Sequence, residues 1–411
     1  MDKKITFAPP GENIFTKDIE TDKKSPVTPF APIMNYNGFI RPQEFEDAKE
    51  IGTKCADEIK SNIIADFEKT PEYCKTHAGE DVDLMVHVST FKIIDGIVYM
   101  TYYANTASDS EDPSKQEARF AFCPLDNPAD MTIVRIQKVG DMLDGKKIDM
   151  LYDTILMYKG GDEIFLMWTA SADGMYYRLY STYNIKTGII SEIRPNRFKA
   201  GETTNDFSTS GITSALAVNN LPIRKMFVDI GIMQKITTRV ENGETYYYTG
   251  AYSGYFNCII KSRDFITWEY VAAPDFVSLA LWENATYVIG DKCYYFVRQN
   301  ECEQGFLTCY DLNDKTWATP FLIKDTQSRS DFVFYKNELY LIHAPINREG
   351  FGIIKVNRDD LSKSKPVLVA DMKSSFFYPY TDIYGSDAYI SYTVDRKHIR
   401  LSKFSAENYL K

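Results

Sequence analysis

The sequence predicts an all-β fold, a six-bladed β-propeller, and three observations carry that prediction. Strand-type segments recur in groups of about four from Leu84 to Phe404, each group roughly as long as a propeller blade. The composition suits pleated, half-buried strands, with 29 Tyr and 25 Phe in 411 residues. Each group also opens with a polar or aromatic residue on its first strand, where a radial fold needs side chains that face a central mouth.

Residues 1–42 are rich in Pro, Asn and Lys and read as an extended arm. From Pro42 to about Lys69 the apolar residues Phe45, Ala48, Ile51, Cys55, Ile59, Ile63 and Phe67 fall at helical spacing, and Pro71 ends the pattern. The expected organisation is therefore an arm and helix over 1–80, packed on a propeller domain over 81–411.

The first group of strands is LMVHVSTFKI, IVYMTYYAN, EARFAFC and MTIVRIQ, and the second is MLYDTILMYK, EIFLMWTAS, YYRLYSTYN and IISEI. The third begins near Thr209 and includes MQKITTRV, TYYYTGAY, YFNCIIKS and ITWEYVA, with Asn242-Gly243 as a tight hairpin signal. VSLALWENATYVI, KCYYFVRQ, GFLTCYDL and WATPFLI form the fourth; SDFVFYK, ELYLIHAP, GFGIIKVN and PVLVAD form the fifth. The sixth supplies only FFYPYTDIY, AYISYTV and HIRLSKF, so the segment KITFAP near residue 4 is expected to close it and remove an open edge. Five or seven blades stay open because Phe198 to Val228 has no clear period.

A formal charge of -10 excludes nucleic acid and anionic membrane as expected partners, since both need a basic footprint. The start has no apolar leader segment and no run is long enough to span a bilayer, so a cytoplasmic protein is expected, or a secreted one if a leader was removed. The seven cysteines (Cys55, Cys74, Cys123, Cys258, Cys293, Cys302, Cys309) contain no C-x-x-C pair and read as reduced thiols. No cofactor or metal site is visible; calcium held by backbone oxygens would leave no trace in sequence. The oligomeric state stays open.

In a propeller, residues that open the first strands converge with residues at the turns from second to third strand. The openings give His87, Asp153, Glu283, Arg329 with Asp331, and Tyr378 with Tyr380 and Asp382; the turns give Asn105, Trp168, Tyr252, Arg298, Arg348 and Arg396. Four arginines from the last three blades thus point to one mouth of an acidic protein. Guanidinium forks grip carboxylates, so the expected ligand is an acidic saccharide bound by Arg298, Arg329, Arg348 and Arg396, with Asp153, Trp168 and Asp331 completing the binding set. A carboxylate beside a phenol can act as base and let it attack a sugar cation, which suggests Tyr378 with Glu283. His87 is a candidate acid or base on an inner strand, whereas His77, His343 and His398 fall in a loop, a strand and a turn. The acidic loop NTASDSEDPSKQ offers Asp112, or Asp109, as general acid.

Two segments resemble the sialidase superfamily of Asp-box, or BNR-repeat, propellers. FFYPYTDIYGSDAYISYTVDRKHIRLSKF looks like the closing blade of such proteins, and KSRDFITWEYV resembles a degenerate Asp box with Ser262, Asp264 and Trp268 in its Ser, Asp and Trp places. The resemblance implies a propeller that acts from the chain end of an acidic glycan, with an arginine cluster, a Tyr nucleophile matched by Tyr378, a Glu partner matched by Glu283 and an Asp acid. An Arg-Ile-Pro signature is missing; FIRPQ around Arg41 is a distorted version. The superfamily also includes uronate lyases that use His and Tyr with Arg, and proteins that only bind glycans. Three functions therefore stand: a sialidase-like exo-glycosidase, a propeller lyase using His87 and Tyr378, and a non-catalytic glycan-binding propeller.

Overall fold

The computed structural model describes residues 5–18, 38–66, 83–223, 229–253, 256–274, 281–299 and 303–411. His77, Cys74, Cys302, Pro71 and the helical pattern beyond Asp66 lie outside them. The chain forms two compact units, one of residues 1–29, 70–85 and 90–273, the other of residues 30–69, 86–89 and 274–411. Six sheets of four or more strands are present among the described residues, nearly all of their pairings antiparallel, in the up-and-down order of propeller blades.

The opening sheet, which apart from Val86–Ser89 lies in the first unit, runs Met85–Ile94, Ile97–Asn105, Gln116–Pro124 and Thr132–Lys138, as the sequence predicts. The second runs Lys146–Tyr158, Glu163–Ala172, Met175–Asn184 and Ile189–Ile190. Its outer edge is covered by Thr6–Phe7, which pairs in parallel with Ile189–Ile190. KITFAP therefore closes the second sheet and not the sixth. The arm beyond it is tied to the same unit: the Asn13 and Ile14 amides donate to Asp144 at 2.8 and 2.9 Å, and the Phe15 ring lies 4.5 Å from that of Tyr177.

The third sheet contains Glu244–Ser253, Phe256–Ser262 and Thr267–Ala272, extended outward by Arg197–Ala200 and Thr203–Asp206. At Thr209, where the sequence suggested a strand, a helix Thr209–Val218 begins instead. Ser208 starts it, its hydroxyl accepting from the Gly211 amide at 3.0 Å, and Ile212 and Leu216 press its apolar face onto Phe198, Phe207 and Trp268. The Asn242-Gly243 hairpin is formed with both residues at positive φ, 51° and 83°, as a primed turn requires.

A recurrent device ties down the turn from third to fourth strand. Asp264 Oδ1 accepts from the Ile266 and Thr267 amides, both at 2.8 Å, while Ser262 Oγ accepts from the Phe265 amide at 2.9 Å. Asn184 in the second sheet, and Asp311 and Asn357 in the fourth and fifth, accept in the same way from the amides two and three residues on. The Ser-Asp-Trp segment picked out in the sequence is one case of this local chemistry.

In the second unit, the fourth sheet runs Leu281–Ile289, Lys292–Gln299, Gln304–Asp311 and Thr316–Trp317, and the fifth Asp331–Tyr335, Glu338–His343, Gly350–Val356 and Lys365–Asp371. The sixth contains Phe377–Tyr384, Asp387–Val394 and His398–Ser405, and its fourth strand is Ile63–Asp66, paired antiparallel with His398–Ser405. The predicted single helix is thus two helices, Pro42–Asp47 and Lys49–Ser61, followed by that strand. The β-branched pair Ile63-Ile64 extends after Asn62, although Ile63 keeps helical spacing with Ile59. Helix Lys49–Ser61 buries Cys55, Ala56 and Ile59 against Ile353, Leu368, Ala370 and Phe404. The approach is so close at Gly52 that a Cβ there would lie 1.8 Å from the Val369 carbonyl oxygen. Cys55, Cys123, Cys258, Cys293 and Cys309 are free and buried, and burial pushes each thiol above its usual range.

Candidate functional site

The opening strands of the fourth and sixth sheets are irregular where the candidate residues lie. Pairing with the neighbouring strand shifts register between Leu281 and Asn284 and between Phe377 and Tyr380. Such bulges turn a side chain out of the regular alternation, and here they present Glu283 and Tyr378. Tyr378 has a φ of +53°, a left-handed conformation that non-glycine residues adopt at a cost of about 1–2 kcal/mol.

Glu283 is the hub of the cluster. Its Oε1 accepts from the Tyr378 hydroxyl at 2.8 Å and from Arg329 Nη2 at 3.3 Å. Its Oε2 lies 2.8 Å from Arg298 Nε, an ion pair by distance whose N–H is not aligned as a hydrogen bond. Arg298 Nη1 in turn donates to the Tyr378 hydroxyl at 3.5 Å. Glu283, Arg298 and Arg329 are 4%, 6% and 2% exposed, so these charges interact with little screening by water. The Tyr378 ring is half-buried, with the Arg329 guanidinium carbon 4.9 Å from its centroid.

Arg348 and Arg396 approach the neighbouring ring. Their guanidinium carbons lie 4.2 and 5.0 Å from the Phe377 centroid, and Arg348 is also 5.7 Å from Tyr378. Arg348 sits in the turn between the second and third strands of the fifth sheet, with Ile346, Asn347 and Arg348 all at positive φ. Arg396 is the second central residue of the sixth-sheet hairpin: Asp395 and Arg396 have φ of 52° and 54°, and the Lys397 amide donates to the Val394 carbonyl at 2.9 Å. Among the described residues, Arg348 Nε and Nη2 are buried with no hydrogen-bond partner.

The electrostatics follow from this packing. Burial and the Glu283 carboxylate push the Tyr378 phenol up to about 12, while Arg298, Arg329 and Arg348 pull it down. Burial works against the charge on Arg298, but Glu283 and Tyr378 hold its pKa above the usual arginine value. For Arg348 burial wins, aided by repulsion from Arg298 and Arg396, and its pKa is lowered. A phenol hydrogen-bonded to a carboxylate can pass its proton as the oxygen attacks an electrophilic carbon, and the remaining guanidiniums can hold an anion.

Six of the residues given a catalytic or binding role from the sequence meet in this cluster: Tyr378, Glu283, Arg298, Arg329, Arg348 and Arg396. His87 belongs to the same unit but is 0% exposed, with its ring edge-on to Tyr378 at 4.6 Å. It supports the phenol from behind and cannot reach a sugar, which corrects its expected role as acid or base. Asp331 is fully buried and accepts from the Thr381 amide at 2.9 Å, a tie within the core and not a ligand for substrate.

The other three lie in the first unit and have local partners. Trp168 is 0% exposed because its strand continues to Ala172, which leaves it inside the sheet, and its indole donates to Gln137 at 2.7 Å; it cannot stack on a sugar. Asp153 is buried, 3.2 Å from Arg178 Nη1 and 3.4 Å from the Tyr252 hydroxyl. Asp112 caps a short turn by accepting from Ser114, and with Lys115 beside it its carboxyl is held down at about 2. His343 and His398 lie outside the cluster: His343 packs against Phe45, and His398 lies 3.5 Å from Asp66.

Sequence reasoning missed Phe377, which looked like one more strand aromatic. It also missed Arg178, the buried counter-charge of Asp153; a lone arginine within YYRLYSTYN was the available signal.

No family model matches the chain, and no curated protein matches it either. Among solved structures, similarity extends to a glycosyl hydrolase from Bacteroides ovatus, with 11% identity over 94% of this chain and 98% of that one and a TM-score of 0.43. A structure described with the GH130 family of mannoside phosphorylases, whose glycoside hydrolases target β-1,2 mannosidic linkages in Candida mannan, gives 11%, 93%, 97% and 0.43. The polysaccharide lyase Uly1 gives 9%, 78%, 77% and 0.40. At these TM-scores the similarities assign no activity to this chain.

Proposed function

We propose that the protein is a carbohydrate-active enzyme of the sialidase-like type, hydrolysing an acidic saccharide with Tyr378 as nucleophile and Glu283 as its base. The single observation that carries this reading is the 2.8 Å hydrogen bond from the Tyr378 hydroxyl to Glu283 Oε1, set among four arginines. Tyrosine nucleophiles of this kind are the exception to the two-carboxylate glycosidase scheme. As the phenol oxygen bonds to the anomeric carbon its proton passes to Glu283, and the leaving oxygen departs with the electron pair of its bond and takes a proton from water; water later attacks the anomeric carbon of the glycosyl-tyrosine, Glu283 returns its proton to the Tyr378 oxygen, and the proton lost by that water neutralises the hydroxide left by the first step. The arginines balance the substrate carboxylate. We also propose that the six sheets are the blades of one propeller and that the arm and helix over 1–80 pack on it.

The test is release of methylumbelliferone from the α-N-acetylneuraminide and from the β-glucuronide, with the β-glucoside as uncharged control. An acidic glycoside is expected to be cleaved and the glucoside left intact; Tyr378→Phe abolishes cleavage and keeps the fold. Full activity in that variant would remove the nucleophile assignment.

A lyase acting on a uronic acid is the second reading, favoured by the arginines around the Tyr378 phenol, with the Arg329 guanidinium carbon 4.9 Å from its ring. An unsaturated, ultraviolet-absorbing product from a uronate polymer would select it, and saturable binding with neither product would select a glycan-binding protein.

A further inference from the structure

Arg348 reaches the Tyr378 cluster on a turn that ordinary backbone preferences oppose. Ile346, Asn347 and Arg348 stand at φ of 57°, 50° and 69°, three left-handed residues in a row, and a β-branched Ile is among the side chains least suited to that region. Strain of this kind persists only where the surrounding structure over-determines it. The Arg348 side chain does not supply that hold, because its Nε and Nη2 are buried with no hydrogen-bond partner among the described residues. Its guanidinium therefore lies where the turn puts it.

The hold comes from Asp325, in the segment between the fourth and fifth sheets. Its Oδ2 accepts from the Ile346 amide at 2.6 Å and its Oδ1 from the Asn347 amide at 3.2 Å, so one carboxylate pins two of the strained residues. Gln327, two residues on, donates from Nε2 to Asn347 Oδ1 at 2.8 Å. The same segment continues to Ser328, whose hydroxyl accepts from the Tyr378 amide at 3.4 Å, and to Arg329, 3.3 Å from Glu283. On the other side of the turn the Arg348 carbonyl accepts from the Phe376 amide at 2.7 Å, two residues before Tyr378. One short stretch thus ties the turn, the phenol's backbone and the Glu283 carboxylate to a common base.

We propose that Asp325 is a positioning residue of the site: its carboxylate locks the turn at Ile346 and Asn347, and so sets the Arg348 guanidinium carbon 4.2 Å from the Phe377 centroid and 5.7 Å from that of Tyr378. This rests on the Tyr378 reading of the same site. Asp325 touches no reacting atom and acts through Arg348, one of the arginines that favour the ionised phenol. Misplacing a group of this kind by about 1 Å can cost about a hundredfold in rate.

Crystal structures and turnover of full-chain variants test this. In Asp325→Ala the turn relaxes and Arg348 leaves the Phe377 ring; in Asp325→Asn, which keeps one acceptor, it moves less. On the acidic glycoside that the wild type cleaves, Asp325→Ala lowers kcat/KM by about tenfold or more, and Asp325→Asn recovers part of the loss. Arg348→Gln lowers kcat/KM as well, and adding Asp325→Ala to it changes the value by less than about twofold, because both act through one guanidinium. Asp264→Ala, which frees two amides in a turn of the third sheet, is the control and keeps kcat/KM. Urea midpoints report folding for every variant; should Asp325→Ala fail to fold, the smaller displacement and loss in Asp325→Asn decide. An unmoved Arg348 in the variant structures, independent effects in the double variant, or an equal loss in Asp264→Ala overturns the proposal. If the wild type cleaves no acidic glycoside, the Tyr378 reading fails, and the place of Arg348 in the variant structures still decides what Asp325 does.

Discussion

Replacing Glu283 by Gln removes one charge and almost no volume, and its consequences can be worked from the cluster. The carboxylate faces Arg298 at 2.8 Å and Arg329 at 3.3 Å, both nearly inaccessible to water. Arginine cannot shed its proton, so without Glu283 two buried guanidiniums lose the carboxylate charge that faces them. Breaking a buried pair by removing one partner costs about 3–5 kcal/mol; Gln returns one acceptor, so we expect a loss of about 3 kcal/mol. Tyr378→Phe removes only the hydroxyl from the same carboxylate and should lose about 1–2 kcal/mol. Urea unfolding followed by tryptophan fluorescence measures both. Anions should restore part of the Glu283→Gln loss, because a bound carboxylate or chloride replaces the missing charge, by an amount that grows with the logarithm of concentration. A Glu283→Gln protein as stable as Tyr378→Phe, or one indifferent to added glucuronate, would refute the reasoning.

Three further outcomes follow from the structure. Arg396→Ala and Arg396→Gly remove the same side chain from a left-handed position, so the Gly protein should be the more stable by about 1 kcal/mol; equal urea midpoints would mean that the position is not strained. His343 is fully buried and its pKa is lowered to about 4. The unfolded chain takes up a proton near pH 6.5 that the native state refuses, so His343 favours folding above that pH and its contribution is lost as pH falls towards 4. His343→Gln should flatten the fall in stability between pH 6.5 and 4, and an unaltered slope would contradict this. Asp264→Ala leaves two turn amides unsatisfied and should lose about 1–2 kcal/mol with activity intact; a drop in kcat without loss of stability would show that this turn does more than hold the third sheet.

Most strands were legible in the sequence because alternation, aromatic content and turn residues agreed, as in Asn242-Gly243 between two Tyr-rich and β-branched runs. The edges were not. Thr6–Phe7 and Ile63–Asp66 are short edge strands, and which sheet each one joins depends on where the intervening chain leads, which local pattern does not encode. Ile63 satisfied a helical period through Ile59 and yet extends. The candidate site was legible through position: residues at first-strand openings and second-turn ends include Glu283, Arg298, Arg329, Arg348, Tyr378 and Arg396. Position alone could not separate Asp331 and Trp168, which lie at or near such places but point into the core, nor show that His87 lies behind the phenol. Phe377 stayed hidden because the two arginines that lie against its ring are far from it in the chain.

The most direct measurement is to trap the intermediate. Fluorinated uronosyl and sialosyl fluorides, which form a glycosyl-enzyme quickly and release it slowly, would be incubated with the protein and the labelled peptide mapped by mass spectrometry. The account predicts a single adduct on the Tyr378 oxygen, absent in Tyr378→Phe and slowed in Glu283→Gln. An adduct on a carboxylate, or no adduct with either reagent, would contradict it.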